Sequence, residues 1–178
     1  MNKYYLDGVL VVEGKSDVSY LSSFIKALYF TTNGYDISDE KLDFLSRVSK
    51  VKKIVVLTDN DQAGLEIENR IKSKINNVFD IKTPKIPRKS TKKLGVAETD
   101  KEVIVEALKD HLVAYTNQLD ERPDYGLSRI ISLGSNPHES KQLIINDYRL
   151  IDGNIKFLEN QLQMLGINPV EIKQKYGN

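Results

Sequence analysis

The chain has 178 residues, 40% of them hydrophobic and 29% charged, which suits one domain of ordinary size or a domain with a small appendage. It has a net charge of +1, no cysteine and two well-separated histidines, so disulfides and thiolate zinc sites are excluded and a histidine metal site is disfavoured. No apolar run reaches the roughly 18–20 residues of a membrane span, and the first residues do not resemble a signal peptide, so we expect a cytoplasmic protein without membrane contact.

The first half of the chain alternates predicted strands and helices. Residues 8–12, GVLVV, are apolar on both faces and predict a buried parallel strand. Ser16 is the predicted cap of a helix whose apolar face carries Val18, Leu21, Ile25 and Leu28. Further predicted elements are a strand at 28–32, a helix after Ser38, a strand at 53–58, a helix at about 63–75 and a strand at 77–82. The alternation predicts an α/β, Rossmann-type domain with a four-stranded parallel sheet flanked by helices.

The composition changes at residues 82–93, KTPKIPRKSTKK, which contain two prolines and no acidic residue. A basic loop of this kind is suited to the backbone of a nucleic acid. The alternative interpretation is a solvated loop without a ligand. The candidate contact residues are Lys82, Lys85, Arg88, Lys89, Lys92 and Lys93.

Beyond the basic loop, Thr99 and Glu102 predict a capping box for a helix over 101–112. A polar stretch with a proline and a glycine follows, and then several short helical patterns. The predicted organisation is an α/β domain over residues 1–116, a linker over 117–126 and a small all-helical region over 127–178 that binds RNA or a partner.

Acidic residues stand where two predicted strands end. Glu13 follows the first strand, and Asp59 and Asp61 follow the third. The carboxyl ends of parallel strands share one edge of a sheet, and residues two apart in an extended segment point the same way. Three carboxylates brought together suit Mg²⁺, with Mn²⁺ as an alternative. The competing interpretation, that Asp59 caps the next helix and Asp61 forms an Asx turn, is disfavoured by Glu13.

Neighbouring residues have less specific roles. Lys15 is placed to contact a phosphate or transition-state charge, although a solvated lysine is an equal alternative. Asp17 lies in the first helical turn, where interaction with the helix dipole is favoured over metal binding. Gly14 is expected to permit a sharp turn, and Gly64 either a turn or close packing of helix on sheet.

The segments VVEGKSD and LTDNDQAG resemble the Toprim domain of bacterial primases, topoisomerases and small nucleases. The resemblance covers about residues 8–112. It implies that Glu13, Asp59 and Asp61 hold Mg²⁺ for phosphodiester chemistry.

Two further segments, residues 92–108 and 152–172, are similar to the ribonucleases of the M-five type, which mature 5S rRNA. The resemblance implies a Mg²⁺-dependent endoribonuclease that acts on precursor 5S rRNA with its bound ribosomal protein. This sequence departs from the family at Ala97-Glu98, where a Glu-His pair is usual, and at Gln62-Ala63, where an aromatic residue and a proline are common. We therefore expect a divergent member, with the role of Glu98 left open.

Two other functions remain open from the sequence. One is a Toprim DNA nuclease or a primase-like nucleotidyl transferase. The other is a non-catalytic nucleic-acid-binding module that keeps the fold. A metal requirement separates an enzyme from a binding module. The sequence does not predict the oligomeric state.

Overall fold

The computed structural model describes residues 4–34, 37–76, 78–82, 95–116 and 123–177. The chain forms two compact units, over residues 1–119 and 120–178. The domain boundaries drawn from the sequence stay a prediction. Within the described ranges, the helices are too short or too polar to cross a membrane.

The first unit is an α/β domain, as predicted. Four parallel strands lie in the order β2-β1-β3-β4, and a fifth strand pairs antiparallel with β1. The elements are β1 (Tyr4–Val12), α1 (Lys15–Leu21), β2 (Ile25–Thr31), α2 (Asp39–Val48), β3 (Ile54–Thr58), α3 (Gln62–Lys74), β4 (Val78–Lys82), α4 (Lys101–Leu108) and β5 (Leu112–Ala114), with 3₁₀ turns at Val96–Glu98 and Lys109–His111.

The two central strands form the middle of the core. Residues 9–12 of β1 and 54–57 of β3 are fully buried, because these strands are apolar on both faces and helices pack on each side of a parallel sheet. β1 and β3 are neighbours, with Val11 opposite Val56. Their carboxyl ends therefore lie next to each other, which brings together the residues that follow them.

The structure corrects the predicted end of the first helix. α1 stops at Leu21, and Ile25 and Leu28 lie in β2, opposite Tyr4 and Val9 of β1. Val18, Leu21, Ile25 and Leu28 share a helical spacing, but the pairing of β2 with β1 prevails over that local pattern. The helix starts after Gly14 rather than Ser16.

Two further differences lie after the basic loop. α4 is preceded by Asp100 at its N-cap position, and the hydroxyl of Thr99 donates to the carbonyl of Gly95 at 2.8 Å instead of capping the helix. The predicted helix over 101–112 ends at Leu108, and Leu112 opens β5, which pairs with residues 4–6. The short β5 was missed because its partner lies a hundred residues away in the sequence.

The second unit is helical, as predicted, with α5 (Leu127–Leu133), α6 (Pro137–Tyr148), α7 (Ile155–Met164) and α8 (Pro169–Tyr176). Its core includes Tyr125, which is 1% exposed and donates its hydroxyl hydrogen to the carbonyl of Ile167 at 2.9 Å. Tyr125 falls within the predicted linker, so the last part of that segment belongs to the packed unit. The buried amide of Gln161 pairs with both backbone groups of Ile151.

Candidate functional site

Glu13 and Asp59 meet at the carboxyl edge of the sheet. Glu13 directly follows β1 and Asp59 directly follows β3. The backbone N–H of Asp59 donates to Oε1 of Glu13 at 2.9 Å. The contact joins residues 46 positions apart in sequence and follows from the adjacency of the two buried strands.

Asp61 is the N-cap of α3, and its Oδ1 accepts from the N–H of Gly64 at 3.0 Å. The helix-capping alternative weighed for Asp59 thus applies to Asp61. A Cβ atom added to Gly64 would lie 2.1 Å from the carbonyl oxygen of Asp59. The absence of a side chain at Gly64 therefore allows α3 to lie close to the end of β3. Gly14, in contrast, has extended dihedral angles, φ −142° and ψ 176°, which any residue adopts.

The turn over residues 95–99 holds Asp59 from the other side. The N–H of Val96 donates to Oδ1 of Asp59 at 2.7 Å. Glu98 turns back so that its Oε2 accepts from the N–H of Gly95 at 3.1 Å. An added Cβ on Gly95 would lie 2.9 Å from both Oδ2 of Asp59 and Oε2 of Glu98. Glu98 is thus part of the acidic cluster that contains Asp59.

Sequence reasoning missed the backbone donor at Val96 and the close approach of Gly95 to two carboxylates. Every residue except proline carries a backbone N–H, so residue type does not indicate which one donates to a side chain. The sequence signal that did exist is the Gly95-Val96 pair in the segment that resembles the ribonuclease family.

Burial and nearby negative charges raise the pKa of two carboxyl groups in the cluster, those of Glu13 and Asp17. Burial raises the pKa of Glu13, and the negative charges of Asp59, Asp61 and Asp17 raise it further, against the lowering effect of the hydrogen bond from the Asp59 backbone. Burial likewise raises the pKa of Asp17, together with the charges of Asp59 and Glu98 and against the hydrogen bond from Gly14. Each group is therefore harder to ionise than an isolated carboxyl.

Asp17 is more closely involved than its sequence position indicated. Its side chain is buried, at 8% exposure, and Oδ2 accepts from the N–H of Gly14 at 2.8 Å. This hydrogen bond fits the predicted role at the helix start, while the electrostatic coupling to Asp59 makes Asp17 a member of the cluster.

The donor set fits a hard divalent cation. Carboxylate oxygens are the ligands that Mg²⁺ and Mn²⁺ prefer, and a cation relieves the mutual repulsion of close carboxylates. Among the described residues, no three histidine or acidic side chains already surround one point as metal ligands. The assignment of Glu13, Asp59 and Asp61 as ligands therefore stays a prediction.

The predicted basic residues are described only in part. Lys15 is exposed at the first position of α1, two residues after Glu13. The backbone of Lys82 ends β4 and lies opposite Thr58, beside Asp59. The other predicted contacts, Lys85, Arg88, Lys89, Lys92 and Lys93, lie outside the described residues.

Comparison with known proteins adds independent information. A family model described as Toprim-like matches residues 10–93. The chain is 28% identical over 163 residues to the Ribonuclease M5 of Mycoplasma genitalium, covering 91% of this chain and 90% of the relative. It is 36% identical over 114 residues to the Ribonuclease M5 of Mesoplasma florum, covering 62% and 65% of the two chains.

Among solved structures, a small TOPRIM domain protein from Bacillus stearothermophilus matches with a TM-score of 0.50 and 20% identity, over 62% of this chain and 93% of that one. At this identity the match supports the fold alone. The relatives named Ribonuclease M5 extend beyond the α/β unit and cover the helical unit as well. The chain is therefore similar to the ribonucleases M5 along most of its length, and residues 10–93 match the Toprim-like family model.

Proposed function

We propose that this protein is a Mg²⁺-dependent endoribonuclease that trims precursor 5S rRNA in the cytoplasm. The observation that carries the proposal is similarity to ribonucleases along about nine tenths of the chain, at 91% coverage for one relative. Similarity to that family supports a metal-dependent phosphodiester hydrolase. The choice of 5S rRNA with its ribosomal protein rests on the resemblance of residues 92–108 and 152–172 to enzymes of that type.

In this proposal Glu13, Asp59 and Asp61 hold the Mg²⁺ ion. When bound, the ion supplies positive charge that stabilises the phosphate oxygens and activates water. The chain contributes orientation: Glu13 is fixed by the Asp59 backbone, Asp59 by Val96 and Asp61 by Gly64. A carboxylate has about four acceptor positions, so one hydrogen bond to each group is compatible with metal binding.

Hydrolysis fits the site better than attack by a tyrosine. Tyr20 lies next to the turn that contacts Asp59, and its hydroxyl donates to the carbonyl of Thr99 at 2.7 Å. Burial raises the pKa of Tyr20, and the charges of Asp100 and Glu102 raise it further. A phenol that is hard to ionise is a weak nucleophile, so water is the proposed attacking group, with the phosphorus–oxygen bond to the leaving strand breaking as the new bond forms.

The basic residues are proposed to hold the RNA backbone. Lys15 is exposed beside the acidic cluster, and the backbone of Lys82 ends β4 at the same edge of the sheet. Contacts of this kind make affinity fall steeply with salt. The helical unit is proposed to dock structured RNA or the ribosomal protein bound to it.

The test is cleavage of precursor 5S rRNA, with and without its ribosomal protein, in Mg²⁺ and in EDTA. The wild-type protein is compared with Asp59→Asn, which keeps the shape of the side chain and removes its charge. Asp43→Asn is the matched control, because Asp43 is exposed on α2 and its charge is not among those that shift the pKa of Glu13 or Asp17. We expect Mg²⁺-dependent cleavage by the wild type and the control, and a loss of about 10²-fold or more in Asp59→Asn.

Absence of cleavage by folded wild-type protein, under conditions where a known family member cuts, would reject the 5S assignment. Cleavage of DNA in the same assay would favour a Toprim DNA nuclease. Binding of nucleic acid without cleavage, unaffected by EDTA, would favour a non-catalytic binding module.

A further inference from the structure

A chain of hydrogen bonds runs from α1 to the carboxylate of Asp59. The hydroxyl of Tyr20 donates to the carbonyl of Thr99 at 2.7 Å. The hydroxyl of Thr99 donates to the carbonyl of Gly95 at 2.8 Å, which closes the turn. The N–H of Val96 then donates to Oδ1 of Asp59 at 2.7 Å. Tyr20, which lies outside the acidic cluster, is thereby linked to the carboxylate of Asp59 within the cluster.

Gly95, at the start of the turn, also lies close to the Asp59 carboxylate. A Cβ on Gly95 would lie 2.9 Å from Oδ2 and 3.0 Å from Oδ1 of Asp59, and 2.9 Å from Oε2 of Glu98. The dihedral angles of Gly95, φ −88° and ψ −175°, are open to any residue. A larger residue at this position would therefore have to displace the Asp59 and Glu98 carboxylates, although its backbone conformation would be unstrained.

We propose that Tyr20 is a positioning residue, which acts through the Gly95–Thr99 turn to fix the Asp59 carboxylate for the divalent cation. The inference rests on the proposed function, because it takes Asp59 to be a metal ligand. A carboxylate that is already held by Val96 loses less freedom when it binds an ion, so the turn raises metal affinity by preorganisation. Loosening the turn weakens metal binding more than it slows cleavage at saturating metal.

Tyr20→Phe is the variant of choice. It removes the hydroxyl and keeps the ring, whose edge-to-face packing on Phe24 has a centroid distance of 5.3 Å. Tyr29→Phe is the matched control, because Tyr29 also donates to a backbone carbonyl, that of Ile25 at 2.8 Å, and Ile25 lies at the start of β2, at the opposite edge of the sheet. Gly95→Ala is a second, more severe variant.

The primary measurement is the dissociation constant of Mn²⁺, by electron paramagnetic resonance on the full-length protein without RNA. Thermal midpoints of the same samples report stability. Cleavage assays then give the Mg²⁺ concentration for half-maximal activity and, separately, kcat at saturating Mg²⁺. A purely structural role lowers the thermal midpoint and leaves the Mn²⁺ dissociation constant unchanged.

We expect Mn²⁺ to bind about fivefold more weakly to Tyr20→Phe, as for one lost hydrogen bond, and about tenfold or more weakly to Gly95→Ala. Tyr29→Phe should lower the thermal midpoint to a similar extent as Tyr20→Phe with unchanged affinity. The inference is overturned if Tyr20→Phe binds Mn²⁺ as the wild type does, whether or not Gly95→Ala folds. If the wild type itself binds no Mn²⁺, both the proposed metal site and this inference are rejected.

Discussion

The close approach of α3 to the end of β3 makes Gly64→Ala an informative perturbation. Gly64 is the third residue of a 13-residue helix, where alanine is intrinsically better than glycine by about 1 kcal/mol. Helix propensity alone therefore predicts a more stable protein. The structure predicts the opposite, because the new Cβ would lie 2.1 Å from the carbonyl oxygen of Asp59 and 3.0 Å from Oγ1 of Thr58.

These neighbours cannot move cheaply. Thr58 is fully buried, and the Asp59 carbonyl also accepts from the N–H of Asp61 at 2.8 Å. Overpacking of a close-packed site costs about 1–3 kcal/mol, and a contact with backbone this short belongs at the upper end. After the gain in propensity, we expect a net loss of about 2 kcal/mol, or a thermal midpoint lower by about 4–8 °C.

Thermal unfolding followed by circular dichroism measures this shift, with Gly14→Ala as the matched control. Gly14 is the N-cap of α1, at the same edge of the sheet, but its added Cβ would lie 3.6 Å from Oγ of Ser16 and 3.7 Å from Oδ2 of Asp17, which is ordinary contact. We expect a loss below about 1 kcal/mol there, from the weaker N-cap residue. A midpoint for Gly64→Ala equal to or above that of the wild type would refute the steric argument.

Three more outcomes are expected. Mg²⁺ at a hundredfold excess over its dissociation constant should stabilise the wild type by about 2.7 kcal/mol and leave Asp59→Asn unchanged in a thermal-shift assay; equal shifts would place the ion elsewhere. Thr58→Val removes the hydroxyl that donates to the buried Glu68 at 2.9 Å and should lower the free energy of unfolding in urea by about 1–3 kcal/mol, whereas Thr58→Ser, which keeps the hydroxyl, should lose less. Burial, with a smaller effect of the Glu159 charge, raises the pKa of Tyr125 from 10.0 to about 12. Between these two pH values the folded state keeps a proton that the unfolded chain releases. The contribution of this group to stability is therefore lost as the pH rises from 10 through 12. Urea unfolding between pH 8 and 11 should therefore show a steeper decline for the wild type than for Tyr125→Phe, and parallel curves would argue against this origin.

The parts that could be predicted from the sequence follow from local patterns and general topology. The apolar runs before Glu13 and Asp59 identify two buried strands, and parallel strands place their carboxyl ends at one edge. These two facts suffice to bring Glu13 and Asp59 together, as the 2.9 Å hydrogen bond between them bears out.

The remaining features depend on contacts that no local pattern contains. Helical spacing continues from Val18 to Leu28, and only the pairing of Ile25 with Tyr4 of β1 shows why the helix ends early. The Val96 backbone donor reaches Asp59 across 37 positions of sequence. Asp17 suited a helix-dipole role from its position alone, and its coupling to Asp59 and Glu98 appears only once the turn at 95–99 is in place.

The distribution of the acidic cluster along the chain has a consequence for synthesis. Its members come from the end of β1, the end of β3 and the turn at 95–99, and β5 pairs with the first strand only through residues 112–114. At about 5–20 residues added per second, several seconds separate the emergence of Glu13 from that of Glu98. A growing chain therefore holds individual carboxylates but not their arrangement. We therefore expect the assembled cluster, and any activity that depends on it, only after most of the first unit has left the ribosome.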